Sequence, residues 1–458
     1  MRIPRDLPER VFVVAALILF SGAVMPMLRL GAGTGAQALE GDPVQQMVWL
    51  GLYAVTAGLI LLRIDRVLRV AAANWSLWAL ILLVVVSAAW ADYPSVTLRK
   101  TFALLGTTAF ALYFVARFGV EEQVRLLGWV FGLLGVMSIG AVVYVPELAI
   151  DQRWTVGAWQ GVFIQKNALG RAMVVGVVVF LVLAGSVPRR RRWVPLCGLA
   201  LCAVLIVLST SKTALLLAAA LVVLYGVVSA RRRIRSTLLV PAAIALVLLG
   251  AGGALALAFH AEAAASALGR DVTLTGRTVL WSMVLEYIAQ RPLLGHGYGS
   301  FWLGARGASG VIQRVLGWQV PHSHNGLLDL ALDLGMAGVA LFLWSYFLGL
   351  RRSYALAVRG TGASARWPLM MLLITALYNM TESTLLSRNS IYWVLFVAAL
   401  AWAAHARRNP AAAFGRPRGR GPGEGSAPRP PARRRHPVAL GAGAAAAAPV
   451  HGGGAGAR

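Results

Sequence analysis

Two histidines and a scatter of cations are the residues of this sequence best suited to chemistry. The run Pro321-His-Ser-His-Asn-Gly-Leu-Leu-Asp329 sets His322 and His324 at the mouth of a long apolar segment whose first turns carry Asp329 and Asp333. An imidazole titrates near neutral pH, so it can take a hydroxyl proton, and a carboxylate one turn away could orient it. The same two side chains could also bind zinc, although nothing nearby has the spacing of a third and fourth ligand. Asp329 and Asp333 lie four apart on one helix face, as partners of arginines or as compensation for the positive helix N-terminus.

Upstream, Leu274-Thr-Gly-Arg-Thr-Val-Leu-Trp281 opens a stretch where Val279, Leu280, Met283, Tyr287 and Ile288 recur at helical spacing. An amphipathic helix is expected, with Thr275 as its N-cap and Pro292 as its stop. Arg277 then falls in the first turn. Free backbone N–H groups there favour an anion, and a guanidinium adds a bidentate phosphate ligand. Pairing of Arg277 with Asp271 or Glu286 is the alternative. In Pro292-Leu-Leu-Gly-His-Gly-Tyr-Gly-Ser-Phe-Trp302, the glycines permit a tight turn. Tyr298, Phe301 and Trp302 supply aromatic surface for a sugar face or a membrane interface. No strand precedes these glycines, so they are not a dinucleotide fingerprint.

These residues are spaced along a chain whose composition belongs to a membrane. Of 458 residues, 58% are hydrophobic and 13% charged, and mean hydropathy is +0.70, well outside the soluble range. In hydrocarbon every backbone N–H and C=O must find a partner within the protein, so long uniform apolar runs mean helices. About twelve spans of the required length are expected, near 11–30, 44–62, 75–91, 100–118, 124–145, 167–187, 193–210, 213–230, 237–259, 326–350, 367–386 and 390–406. The fold class is therefore all-α and polytopic. The transmembrane blocks are 1–259 and 326–408, separated by an outer helical loop, 260–325, between spans nine and ten. The tail 409–458, rich in Arg, Gly, Ala and Pro, cannot bury a core and is expected to be disordered on the cytoplasmic side.

Net charge of +26 would suggest nucleic acid in a soluble protein. Here most of the 43 basic residues fall in alternate short loops and the tail, which makes that side cytoplasmic with both termini inside and excludes nucleic acid as the reading. The remaining cations lie outside, against the bias. Arg99 with Lys100, Lys166 with Arg171, and Lys212 sit at or just inside span ends, where a cation either snorkels to headgroups or faces a cavity holding an anion. Their clustering on one face points to a shared anionic ligand. Cys197 and Cys202 lie in one apolar segment and imply neither disulfide nor metal.

The ordered motifs resemble a known family. They are Gly161-Val-Phe-Ile-Gln-Lys-Asn167 with Leu169-Gly170-Arg171, Ser209-Thr-Ser-Lys-Thr213, Gly276-Arg277 with Trp281, Pro292 to Gly299, His324-Asn325 with Leu328, Asp333-Leu-Gly335, and Asn379 with Thr381-Glu382-Ser383. In this order they look like the O-antigen ligase and polysaccharide polymerase superfamily, close to its exopolysaccharide polymerase-like branch. The resemblance covers roughly residues 90 to 400. It implies a glycosyltransferase on the periplasmic face of the bacterial inner membrane, working without metal or cofactor. Glycan carried on undecaprenyl pyrophosphate would pass to a hydroxyl of lipid A core, a growing polysaccharide or another acceptor. Carried onto matching positions, Arg277 and Arg171 would bind the pyrophosphate and His324 would be the acceptor base. His322, Asn325, Tyr298, Glu382, Lys166, Lys212 and Arg99 would complete the substrate site. The family commonly has an acidic residue where Asp333 stands, here Asp rather than Glu. Two other classes remain open: a transporter of anionic lipid-linked saccharide, and a scaffold of a polysaccharide assembly complex. The first needs polar residues on the inner halves of the spans, which here read Val, Leu, Ala and Gly; the second needs neither His324 nor Arg277.

Overall fold

With no water in the bilayer core to satisfy backbone groups, the apolar runs close their hydrogen bonds within each segment. The computed structural model describes residues 6–23, 43–152, 155–231, 238–239, 241–247, 249–250, 252–253, 276–304, 307–360 and 362–408, with backbone alone at 276–278. Thr275, Asp271, most of the ninth expected span and the tail from 409 lie outside these residues. The helices are α1 (Leu7–Phe20), α2 (Pro43–Leu61), α3 (Ile64–Ala72), α4 (Trp75–Val86), α5 (Pro94–Arg117) and α6 (Val120–Tyr144). There follow α7 (Lys166–Ser186), α8 (Trp193–Leu208), α9 (Lys212–Ala230), α10 (Gly276–Gln290), α11 (Gly307–Leu316), α12 (Gly326–Arg359), α13 (Trp367–Tyr378) and α14 (Ile391–Arg408). Helix also runs through 241–247.

The chain is a polytopic helical membrane protein. Among the described residues six helices are long and apolar enough to cross a bilayer, and seven if α3 and α4, bent by 93°, make one broken span. The expected span at 367–386 is shorter than its hydropathy suggested. α13 stops at Tyr378 because the Asn379 side chain bonds Thr375 and Thr384 and turns the chain. Two helices are apolar all round and buried accordingly. α7 packs on α6, α8 and α9, while α14 packs on α5, α12 and α13. Small residues let backbones approach in such interfaces. A methyl on Gly176 would meet Cys202 Sγ at 2.6 Å, and one on Gly198 the Phe180 ring at 2.4 Å. At one end of the bundle Glu9 pairs with Arg63 and Arg117, and Arg10 with Glu122.

α10 lies where the helical spacing put it. Leu280 and Val284 are fully buried against Phe301, Ile312, Val320 and Leu332 in a second, small core. α11 contributes Ile312 to that core, although no pattern had pointed to a helix there.

α12 breaks at Gly335 (φ 64°, ψ −166°), and the break is filled by the loop 292–297. His296 N–H donates to the Leu332 carbonyl at 2.8 Å and Gly297 N–H to that of Asp333 at 2.9 Å. Met336 and Ala337 N–H donate back to the Pro292 and Leu293 carbonyls at 2.8 and 3.1 Å. Backbone groups freed inside a span are thereby satisfied by protein rather than lipid. Contact this close requires glycine. A Cβ on Gly335 would stand 2.2 Å from the Leu293 carbonyl carbon, and one on Gly295 would stand 2.6 Å from the Leu332 oxygen. The glycines of Pro292 to Gly299 thus serve backbone docking. Gly335→Ala adds a methyl where the backbone is left-handed and packed, so a loss of about 1–3 kcal/mol is expected. Thermal unfolding of the purified protein in detergent would show it as a lowered midpoint; an unchanged midpoint would mean that the docked loop contributes nothing.

Candidate active site

The histidines are held by the start of α12. Asn325 caps that helix, its Oδ1 accepting from Leu327 and Leu328 N–H at 3.0 and 3.2 Å. The Asp329 carboxylate reaches back to Ser323 N–H at 3.0 Å and also accepts from Trp302 Nε1 at 2.8 Å. Trp281 Nε1 donates to the Ser323 carbonyl at 2.8 Å, tying α10 to the same turn. With Ser323 fixed on both sides, His324 is left with φ +58°, a left-handed conformation uncommon outside glycine.

A second loop, 379–390, brings the carboxylate. Gly326 N–H donates to the Asn379 carbonyl at 2.9 Å, and a side chain at Gly326 would strike Asn379 Oδ1. Tyr298 OH donates to the Leu386 carbonyl at 2.5 Å, Asn389 N–H to Thr107 Oγ1 at 3.0 Å, and Tyr53 OH to Asn389 Oδ1. So anchored, the loop lays Glu382 beside the histidines and beside Arg171 of α7. Its Oε2 lies 3.6 Å from Arg171 Nη1, 3.8 Å from His324 Nδ1 and 4.0 Å from His322 Nε2. All three are longer than hydrogen bonds; the Arg171 contact is ionic, and those of the imidazoles become so on protonation. Burial alone would raise the Glu382 carboxyl. His324, Arg171 and His322 outweigh it and pull the value down from 4.5 to about 2.

Expectation and structure differ on the orienting carboxylate. Asp329 and Asp333 were the candidates one turn along α12. Asp329 is instead spent on Ser323 and Trp302, and it is Glu382, remote in sequence, that faces both imidazoles. Asn325 has its side chain engaged as the cap. Tyr298 and Phe301 are buried; Tyr298 holds the second loop by its hydroxyl and also lines the cavity described below.

The two histidines are not equivalent. His324 N–H donates to His322 Nδ1 at 3.1 Å, so the His322 proton sits on Nε2, the atom facing Glu382. His324 presents Nδ1 to the carboxylate, and a proton held there leaves Nε2 as a lone-pair acceptor. Several polar atoms here are buried without a hydrogen-bond partner: Arg171 Nε, Tyr378 Oη and Thr381 Oγ1. Buried polar atoms are nearly always satisfied, so orphans on residues this close together mark a place for a polar ligand. The Arg171 guanidinium also lies over the Tyr392 ring at 5.2 Å.

The other expected cations fall elsewhere. Lys166 Nζ donates to Thr210 Oγ1 at 3.3 Å, near the start of α9 where Lys212 stands exposed. Arg99 lines a separate cavity of about 540 Å³, together with Lys100, Arg388, Trp49, Tyr53 and Trp302. His322, Asp329 and Asp333 also reach that cavity, whereas Arg171 does not line it. The Arg277 side chain lies outside the described atoms, but its helix is anchored beside the histidine turn through Trp281. Sequence reasoning sets Tyr378, Tyr392 and Arg388 in no site.

His322, His324 and Glu382 each offer one ligand atom, all within 4.8 Å of one another. Glu382 is the third ligand that spacing alone did not reveal. Arg171 already places its cation against the same carboxylate oxygen, so the donor set fits an ion-pair cluster better than a divalent ion.

Fold and site together define a multi-pass membrane protein with a buried His–Glu–Arg cluster. An O-Antigen ligase family model matches residues 197–343. The chain is also 27% identical over 310 residues to the Exopolysaccharide production protein ExoQ of Rhizobium meliloti (strain 1021), covering 65% of this chain and 69% of that protein. Both findings agree with the resemblance carried by the motifs, and set this chain beside the O-antigen ligase and polysaccharide polymerase-like proteins.

Glu382 has a depressed value, so its contribution to stability is full above the unfolded value near 4.5 and is lost as pH falls toward about 2. The melting-temperature difference between wild type and Glu382→Gln should therefore shrink as pH is lowered through that window. A difference that stays constant, or grows, in acid would mean that Glu382 is not ion-paired in the folded protein.

Proposed function

We propose that this protein is a glycosyltransferase of the O-antigen ligase or polysaccharide polymerase type. In this reading it sits in a bacterial inner membrane with about twelve spans and both termini cytoplasmic, and acts on the periplasmic face. The donor is glycan on undecaprenyl pyrophosphate. The acceptor is a hydroxyl of a growing polysaccharide, of lipid A core or of another molecule. The observation that carries the reading is the group of buried, unpartnered polar atoms on Arg171, Tyr378 and Thr381 beside His324 and an ionised carboxylate. Such a set can meet both a phosphate and a hydroxyl.

His324 Nε2 takes the acceptor proton, with Glu382 behind Nδ1 stabilising the imidazolium that forms. The acceptor oxygen bonds to the anomeric carbon while the carbon–oxygen bond to pyrophosphate breaks. The departing electron pair stays on the phosphate oxygen, where Arg171 and Arg277 meet the charge in a water-poor site. In-line attack inverts the anomeric centre. No metal takes part, since the arginines supply the charge that a cation otherwise would.

These claims meet in one assay of purified protein with lipid-linked donor and candidate acceptors. Wild type should form product of inverted anomeric configuration, undiminished by a chelator. His324→Ala should lose about 10²- to 10⁴-fold in rate. Arg277→Ala should lose transfer as well, both variants remaining inserted and folded. Retained configuration, chelator-sensitive transfer or near-normal rates in either variant would contradict the mechanism. Movement of intact donor across vesicles without transfer would favour the transporter class instead.

A further inference from the structure

The cations of the outer face fall into separate places, and that separation has a chemical meaning. Arg171 belongs to the Glu382 cluster, whereas Arg99, Lys100 and Arg388 line the cavity between α2, α5 and the loops 299–303 and 383–389. His322 belongs to both: its Nε2 faces Glu382, and it forms part of the cavity wall. The cavity therefore adjoins the reacting cluster through His322, and Arg171 is not part of its wall.

Its lining is that of a saccharide site. Trp49, Tyr53 and Trp302 provide ring faces, and Gln45, Ser383 and Ser387 provide hydrogen-bonding side chains for hydroxyls. A volume of about 540 Å³ lies within the roughly 300–1,000 Å³ usual for small-ligand pockets. The acidic residues in the wall are already engaged. Asp329 holds Ser323 and Trp302, and Asp333 stands as the electrostatic counterpart of Lys100, whose Nζ also donates to the Gly299 carbonyl. Arg388 forms no salt bridge among the described residues, and it is exposed on a loop pinned at Leu386 and Asn389. An arginine on a pinned loop, in one cavity wall with aromatic side chains, suits a carboxylate or phosphate attached to a sugar.

We propose that this cavity is the acceptor subsite and that it selects an anionic saccharide, one bearing a uronate, an acidic ketal or a phosphate. The inference rests on the transferase reading for the word acceptor, but binding can be measured without transfer. The pyrophosphate of the donor is assigned to the Arg171 side, so the two anions occupy different cations.

The test uses the full-length protein in detergent, with quenching of tryptophan fluorescence as readout. The probes are a tetrasaccharide of galacturonic acid, neutral maltotetraose and inorganic pyrophosphate. Wild type should bind the acidic tetrasaccharide more tightly than the neutral one. Arg388→Gln should weaken the acidic probe by about tenfold and leave pyrophosphate unchanged, as expected for removal of one charged hydrogen-bonding partner. Arg171→Gln should do the reverse. Arg99→Gln, also exposed, gives a second cavity variant should Arg388→Gln unfold. Equal binding of acidic and neutral probes, or loss of pyrophosphate rather than of the acidic sugar in the cavity variants, would overturn the proposal. Absence of glycosyl transfer would instead count against the transferase reading and leave this binding result standing.

Discussion

One buried carboxylate organises the candidate site of this protein. Glu382 is only 9% exposed, which alone would favour its neutral form. Three positive or protonatable groups from two segments, Arg171 of α7 and His322 and His324 of the turn before α12, keep it ionised. The arrangement is reciprocal: removing the carboxylate would leave the Arg171 guanidinium without an anionic partner, and removing the arginine would leave a buried anion. The positions of α7, the start of α12 and the loop after α13 are therefore coupled through this one charge. His324 accepts a left-handed backbone because Ser323, Asp329 and two tryptophans fix the turn around it.

The cluster needs a wall that does not leak backbone polarity into lipid. The broken α12 meets that need. Its break at Gly335 frees carbonyls and N–H groups that the loop 292–297 takes up. The same loop continues into Tyr298 and Gly299, which bind the Leu386 carbonyl and Lys100. A strip of glycines thus connects the integrity of a membrane span to the placement of both the carboxylate loop and the cation-lined cavity.

How much of this was legible in the chain depends on distance along it. Helices followed from apolar runs, and α10 from the spacing of Leu280 and its neighbours. His322 and His324 stood out by residue type, and the outer cations stood out because topology disfavours them there. Glu382 was visible only through the motif Thr381-Glu382-Ser383, because nothing in local spacing says that a residue after α13 will lie against the mouth of α12. For the same reason sequence alone favours the nearer Asp329. Hydropathy carried the span beyond Tyr378, since Leu385 and Leu386 look like membrane residues until Asn379 is seen to turn the chain. The division of the cations into an Arg171 side and an Arg388 side is purely tertiary.

The central claim is that the donor's pyrophosphate lies against Arg171, within reach of His324. An electron cryo-microscopy structure with a non-transferable phosphonate analogue of the lipid-linked donor measures this directly. The account predicts phosphonate oxygens on the Arg171 guanidinium, with His324 Nε2 facing the anomeric carbon across a gap that an acceptor hydroxyl can fill. Phosphonate density between Arg99 and Arg388, with Arg171 still bound only to Glu382, would contradict it.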